Sequence, residues 1–185
     1  MDRKLKTPGL LLRTLLASAA TLVALAQGAS PGSEPPKLRG QTLDGKSIVL
    51  PDDAAGRVIL LVLGASKKGG EQTGPWKDHF VADFGPNPHA TYYVAALLQR
   101  VPAPFRAVIR AGMRGGTPDA ARSHVLTSAS DEDAWKGYLG MRNDSLPGIL
   151  LLDESGRTLW SHIGVFDPRE YAQLKAAAGT ALEHR

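Results

Sequence analysis

A chain of 185 residues that is 43% hydrophobic can build the core of one ordinary domain without recourse to disorder or repeats. Its formal charge of +4 comes from 22 Lys and Arg against 18 Asp and Glu, but Arg3, Lys4, Lys6 and Arg13 against Asp2 alone put most of that excess in residues 1–26; the remainder is nearly neutral, so net charge supplies no case for a nucleic-acid partner. The chain has no cysteine, which excludes thiol-disulfide oxidoreductase activity, disulfide staples and lipid attachment through a cysteine.

Residues 1–26 have the three parts of a signal peptide: a basic start, an apolar stretch from Thr14 to Ala26, and small residues at Ala24 and Ala26 suited to cleavage after Ala26. The apolar stretch is shorter than the ~20 residues that span a bilayer, so export to the periplasm or another extracytoplasmic space is the expectation and an uncleaved N-terminal anchor the alternative. A mitochondrial presequence fits less well, because the segment is apolar on every side. Residues 27–37 include Ser-Pro-Gly-Ser-Glu-Pro-Pro-Lys, which is poor in apolar groups and reads as a linker. A single domain is expected over 38–185.

Within that domain, QTLDGKSIVL at 41–50 predicts a β-hairpin turning at Asp44-Gly45. RVILLVL at 57–63 is the continuous apolar run of a central strand buried on both faces. A glycine-rich turn at 64–74 leads to a helix over 75–84, where Trp76, Phe80 and Phe84 share one face. TYYVAALL at 91–98 is a second strand and completes a βαβ unit. The segment 104–113 is an amphipathic helix, with Phe105, Val108, Ile109, Gly112 and Met113 on one face and Arg106, Arg110 and Arg114 on another.

A short extended piece is expected at 124–126, then a helix capped by Ser130, with Asp133 three residues on and Trp135 and Leu139 as its apolar contacts. Ile149 to Leu152 and Thr158 to His162 form a second hairpin about the turn 153–156. Asp167-Pro168 opens a final helix and Gly179 closes it.

This order, with GxTLDGKxxxL, a buried strand entering a glycine-rich turn, and LPGILLLDESGRTLW before a capped helix, resembles the thioredoxin-like superfamily, in particular its redoxin and TlpA-like members, over roughly 38–178. The resemblance implies an α/β fold with a central mixed sheet flanked by helices and an N-terminal β-hairpin. It implies a cis proline at Pro147 beside the active-site turn, and it sets Lys68 and Glu71 where redox members carry the two cysteines of Cys-x-x-Cys. Within the superfamily the chain is most similar to the mitochondrial ATP synthase assembly-factor family, through QTGPW at 72–76, the basic segment after the second strand, and the stretch 131–160. That likeness implies a chaperone-like partner of a membrane subunit.

The function expected is therefore non-redox binding of a protein client at the membrane surface, with a groove beside Pro147 to receive an extended chain and Arg106, Arg110 and Arg114 docking the partner or anionic lipid headgroups; a solvated helix face is the plainer reading of the arginines. No cofactor and no nucleic acid is expected. Glycines without GxxxxGK[ST] or GxGxxG give no phosphate loop, and His79 and Asp83, one helical turn apart, are too few ligands for a closed metal site. A divergent redoxin-like enzyme using His79, Asp83 or Glu71 with a metal or as an acid/base site is the alternative of a different class. A degenerate redoxin subdomain that supports a larger complex is a third.

Overall fold

The computed structural model describes residues 29–183; the signal-peptide reading of 1–26 lies outside them. Among the described residues no helix is long and apolar enough to cross a membrane.

Seven strands form one mixed sheet in the order β2-β1-β5-β4-β3-β6-β7. The strands β1 (Leu38–Thr42) and β2 (Ser47–Leu50) make the N-terminal hairpin, whose turn uses Gly45 at φ +105°, a conformation that costs glycine nothing. The hairpin joins the sheet through antiparallel pairing of β1 with β5 (Val125–Ser128). At the centre, β3 (Val58–Gly64) pairs in parallel with β4 (Ala90–Leu97) and antiparallel with β6 (Gly148–Leu152). The last strand, β7 (Thr158–Ile163), returns antiparallel to β6.

Every residue of β3 and β6 is buried, because the sheet is covered on both faces. Ile59, Leu61 and Leu63 project to one side, against Trp135 and Leu139 of α4 (Glu132–Leu139). Val58, Leu60 and Val62 project to the other, against Trp76 and Phe80 of α2 (Gly74–Phe84) and Tyr171, Leu174 and Ala178 of α5 (Pro168–Glu183). Trp76 and Trp135 are fully buried core anchors.

Four local expectations are corrected. The glycine-rich turn contains a short helix, α1 (Lys67–Glu71), capped by Ser66, whose hydroxyl accepts from the Gly69 N–H. Helix α4 takes Asp131, at φ 66°, as its N-cap in place of Ser130; the Glu132 N–H is satisfied by the Gln99 side chain across the fold instead. Helix α5 runs through Gly179 to Glu183, held by the buried Ala178 and by Leu182 packed on the core. The stretch 30–37 is docked: the Gly32 N–H donates to the Thr158 carbonyl at 2.7 Å, Thr158 N–H donates to Ser33, and Ser33 Oγ shares a 2.6 Å hydrogen bond with the Tyr138 hydroxyl. What apolar packing could not supply there, backbone pairing along the β7 edge does.

Candidate functional site

The turn between β3 and α2 places Lys68 and Glu71 on α1, both exposed. Glu71 lies 3.9 Å from Lys67, and both of those side chains are largely solvated, so the ion pair is weak. A hydroxyl cannot replace a thiolate here without a base, and the Ser66 hydroxyl is engaged: it donates to the Asp144 carbonyl at 2.6 Å. Thr73 Oγ1 donates to the Gly70 carbonyl. The turn holds charge and caps, with no activated nucleophile.

The loop carrying Pro147 packs directly on this turn. A Cβ at Gly69 would lie 2.6 Å from the Asp144 carbonyl oxygen, so only glycine admits this approach. Lys136 pairs with Asp144 from the other side. Pro147 is itself buried, and its carbonyl accepts from the Gly164 N–H at 3.1 Å. The loop 144–147 is thus held against the turn that bears Lys68 and Glu71. The expected cis bond is absent: Leu146–Pro147 is trans, and the cis peptide among the described residues is Leu50–Pro51.

The residues of the metal or acid/base alternative are occupied elsewhere. Asp83 accepts from the Tyr171 hydroxyl and the Lys175 ammonium, each at 2.7 Å, and the Lys175 and Tyr171 hydrogen bonds hold its carboxyl below the usual range. Burial, then the Asp83 hydrogen bond, pushes the Tyr171 phenol well above its ordinary value. His79 stacks on Phe166 at 4.2 Å and its Nδ1 lies 2.9 Å from the Pro75 carbonyl. Among the described residues no three His, Asp or Glu side chains converge as metal ligands.

The helix α3 (Ala103–Gly116) departs furthest from expectation. It buries none of its residues, and its faces are reversed: Phe105 is 61% and Val108 69% exposed, whereas Arg106 and Arg110 turn inward. Arg106 donates from Nε to the Val101 carbonyl and from Nη2 to the Gln99 carbonyl. Arg110 donates to Thr127 Oγ1 at 3.2 Å and to the Thr42 carbonyl. The Val101 and Gln99 carbonyls, just past the end of β4, take their donors from Arg106, and the Thr42 carbonyl at the hairpin turn takes Arg110 in addition to the Gly45 N–H. Arg114 remains exposed. Of the three arginines expected on a docking face, Arg110 holds the helix to the sheet, Arg106 holds it to the loop that follows β4, and Arg114 faces solvent.

Beneath α3 lies an open cavity of about 450 Å³ lined by Arg39, Gln41, Arg106, Arg110, Thr127 and Ser130, among others. Sequence spacing identified Arg106 and Arg110 but not Arg39 or Thr127, which reach the cavity only through the pairing of β1 with β5.

No family model matches this chain, and no curated protein matches it in sequence. Solved structures do share its fold. A protein assigned as the thiol:disulfide interchange protein DsbE of Chlorobium tepidum superposes with a TM-score of 0.60 at 20% identity, covering 83% of this chain and 99% of that one. BsSco, a member of the Sco family of cytochrome c oxidase assembly proteins, gives 0.58 at 15% identity, covering 85% and 98%. The exposed lipoprotein thioredoxin of Streptococcus pneumoniae gives 0.55 at 18% identity, covering 76% and 98%. The fold is thioredoxin-like, as expected, and these identities speak to the fold alone.

Proposed function

We propose that this thioredoxin-like protein is a non-redox assembly or chaperone-like factor that binds a membrane-protein client in an extracytoplasmic space. The observation that carries the reading is the outward apolar face of α3, where Phe105, Val108 and Ile109 are exposed together. Isolated exposed apolar residues are ordinary, but three at helical spacing on a helix that buries nothing form a surface suited to a partner. The client chemistry that fits is an apolar segment flanked by acids, because α3 contains no acidic residue and presents Arg114 to solvent.

Two further considerations support the reading. The sequence resemblance to the ATP synthase assembly-factor family favours an assembly role, and BsSco shows that this fold serves a family of oxidase assembly proteins. The basic and apolar composition of residues 1–26 favours export.

The test is a photo-crosslinking amino acid placed at position 108 in the full chain, with position 175 on α5 as control, followed by identification of adducts in the membrane fraction of living cells. Adducts with an integral membrane protein from position 108 and not from position 175 are expected. A folded protein that gives no adduct from position 108 above the control overturns the proposal.

A further inference from the structure

We infer that the cavity beneath α3 is a binding site for a phosphate group carried on a small organic body. Its charge is the first argument. Arg39, Arg106 and Arg110 line one space of about 450 Å³, and among them only Arg39 pairs with a carboxylate, Asp131 at 3.5 Å. Arg106 and Arg110 are partly buried, yet their hydrogen-bond partners are carbonyl and hydroxyl oxygens, with no carboxylate among them. Such acceptors orient a guanidinium without neutralising it. Holding two partly desolvated cations near each other is unfavourable unless an anion joins them.

Donor geometry is the second argument. A guanidinium has five N–H groups; Arg106 and Arg110 each spend two on the protein, and each retains three. Thr127 accepts from Arg110 and keeps its own hydroxyl proton to donate. A carboxylate is satisfied by one guanidinium fork, whereas a phosphate, with more oxygens and up to two charges, accepts from several at once. The pinning by backbone carbonyls preorganises the donors, so little side-chain entropy is lost on binding.

Size is the third. The cavity falls within the range of small-molecule sites, roughly 300–1,000 Å³, and exceeds what inorganic phosphate needs. Leu98, Ala107 and Ala129 supply an apolar wall for the remainder of a ligand. A soluble phosphate ester and a phospholipid headgroup present the same chemistry to this site.

The probe is glycerol phosphate, titrated calorimetrically into the full chain at fixed ionic strength with chloride as the comparison salt. Saturable binding is expected, weakened at least tenfold in Arg110→Met and unchanged in Arg169→Met. Should Arg110→Met fail to fold, Ala107→Leu narrows the cavity with every arginine retained and should weaken binding likewise. Co-sedimentation with phosphatidylglycerol–phosphatidylcholine vesicles separates the sources. Vesicle binding that Arg110→Met abolishes and glycerol phosphate competes identifies a headgroup, and binding of the soluble ester alone identifies a soluble ligand. Absence of saturable binding, equal binding of succinate, or insensitivity to both cavity variants overturns the assignment. The crosslinks from position 108 do not depend on these cavity variants, so the two proposals fail separately.

Discussion

Gly69 and Asp144 meet backbone to backbone: the position of a Cβ on Gly69 lies 2.6 Å from the Asp144 carbonyl oxygen, while the adjacent Ser66 hydroxyl donates to that same oxygen. This contact closes the turn that bears Lys68 and Glu71. Gly69→Ala should destabilise the domain by about 1–3 kcal/mol through overpacking against a carbonyl that cannot retreat without losing its hydrogen bond. Gly70, one residue on, has open space around its Cβ position, and Gly70→Ala should leave stability unchanged or raise it by up to about 1 kcal/mol through helix propensity. Chemical denaturation of the two variants side by side checks the contrast.

The outward face of α3 should be dispensable for folding. Val108→Gln removes an apolar side chain that is 69% exposed, so its unfolding free energy should stay within about 0.5 kcal/mol of the parent. A loss of 2 kcal/mol or more would mean that the helix packs with its apolar face inward.

Asp83 ties α2 to α5 through Lys175 and Tyr171, and those hydrogen bonds hold its pKa below the usual carboxylate value of about 3.9. The folded-state pKa is depressed, so the stabilisation is present above the unfolded value and is lost as pH falls through the folded one. Asp83→Asn should cost about 1 kcal/mol at pH 7, with the gap closing below about pH 4. Tyr171 behaves in the opposite sense: its phenol resists ionisation in the fold, so the parent should lose stability relative to Tyr171→Phe as pH rises past about 10. Unfolding curves recorded from pH 3 to 11 test both limbs.

Glu132 is the most enclosed acid described, its side chain 2% exposed, with Oε1 3.6 Å from Arg100 Nε and Oε2 without a partner. Arg100→Ala should destabilise the domain, since it strips a buried carboxylate of its counter-charge, though the exposure of Arg100 to solvent keeps the effect modest. In a Glu132→Gln background the same change should cost less than half as much. A double-mutant cycle measures the difference, and equal costs would show that Arg100 acts through Asp133 alone.

Local chemistry was legible in the residue order. The run at 57–63 had to be a strand covered on both faces, Asp44-Gly45 had to turn, and Asp167 had to start a helix, because each depends on neighbours in the chain and on side-chain periodicity. The missing cysteines settled the absence of thiol chemistry before any fold was known. Amphipathicity at 104–113 was equally plain, but a pattern with two faces does not say which one turns inward. That choice belonged to the carbonyls of Thr42, Gln99 and Val101, which are brought within reach of Arg106 and Arg110 by the tertiary arrangement. The same pairing of β1 with β5 brought Arg39 and Thr127 to one cavity from positions 88 residues apart. Resemblance implied a cis bond at Pro147, and the structure has its one described cis peptide at Leu50–Pro51 instead. Nearest-neighbour physics writes the elements into the sequence, whereas contacts between distant backbone groups form only when those elements are packed, and here they decide which surfaces remain available to bind.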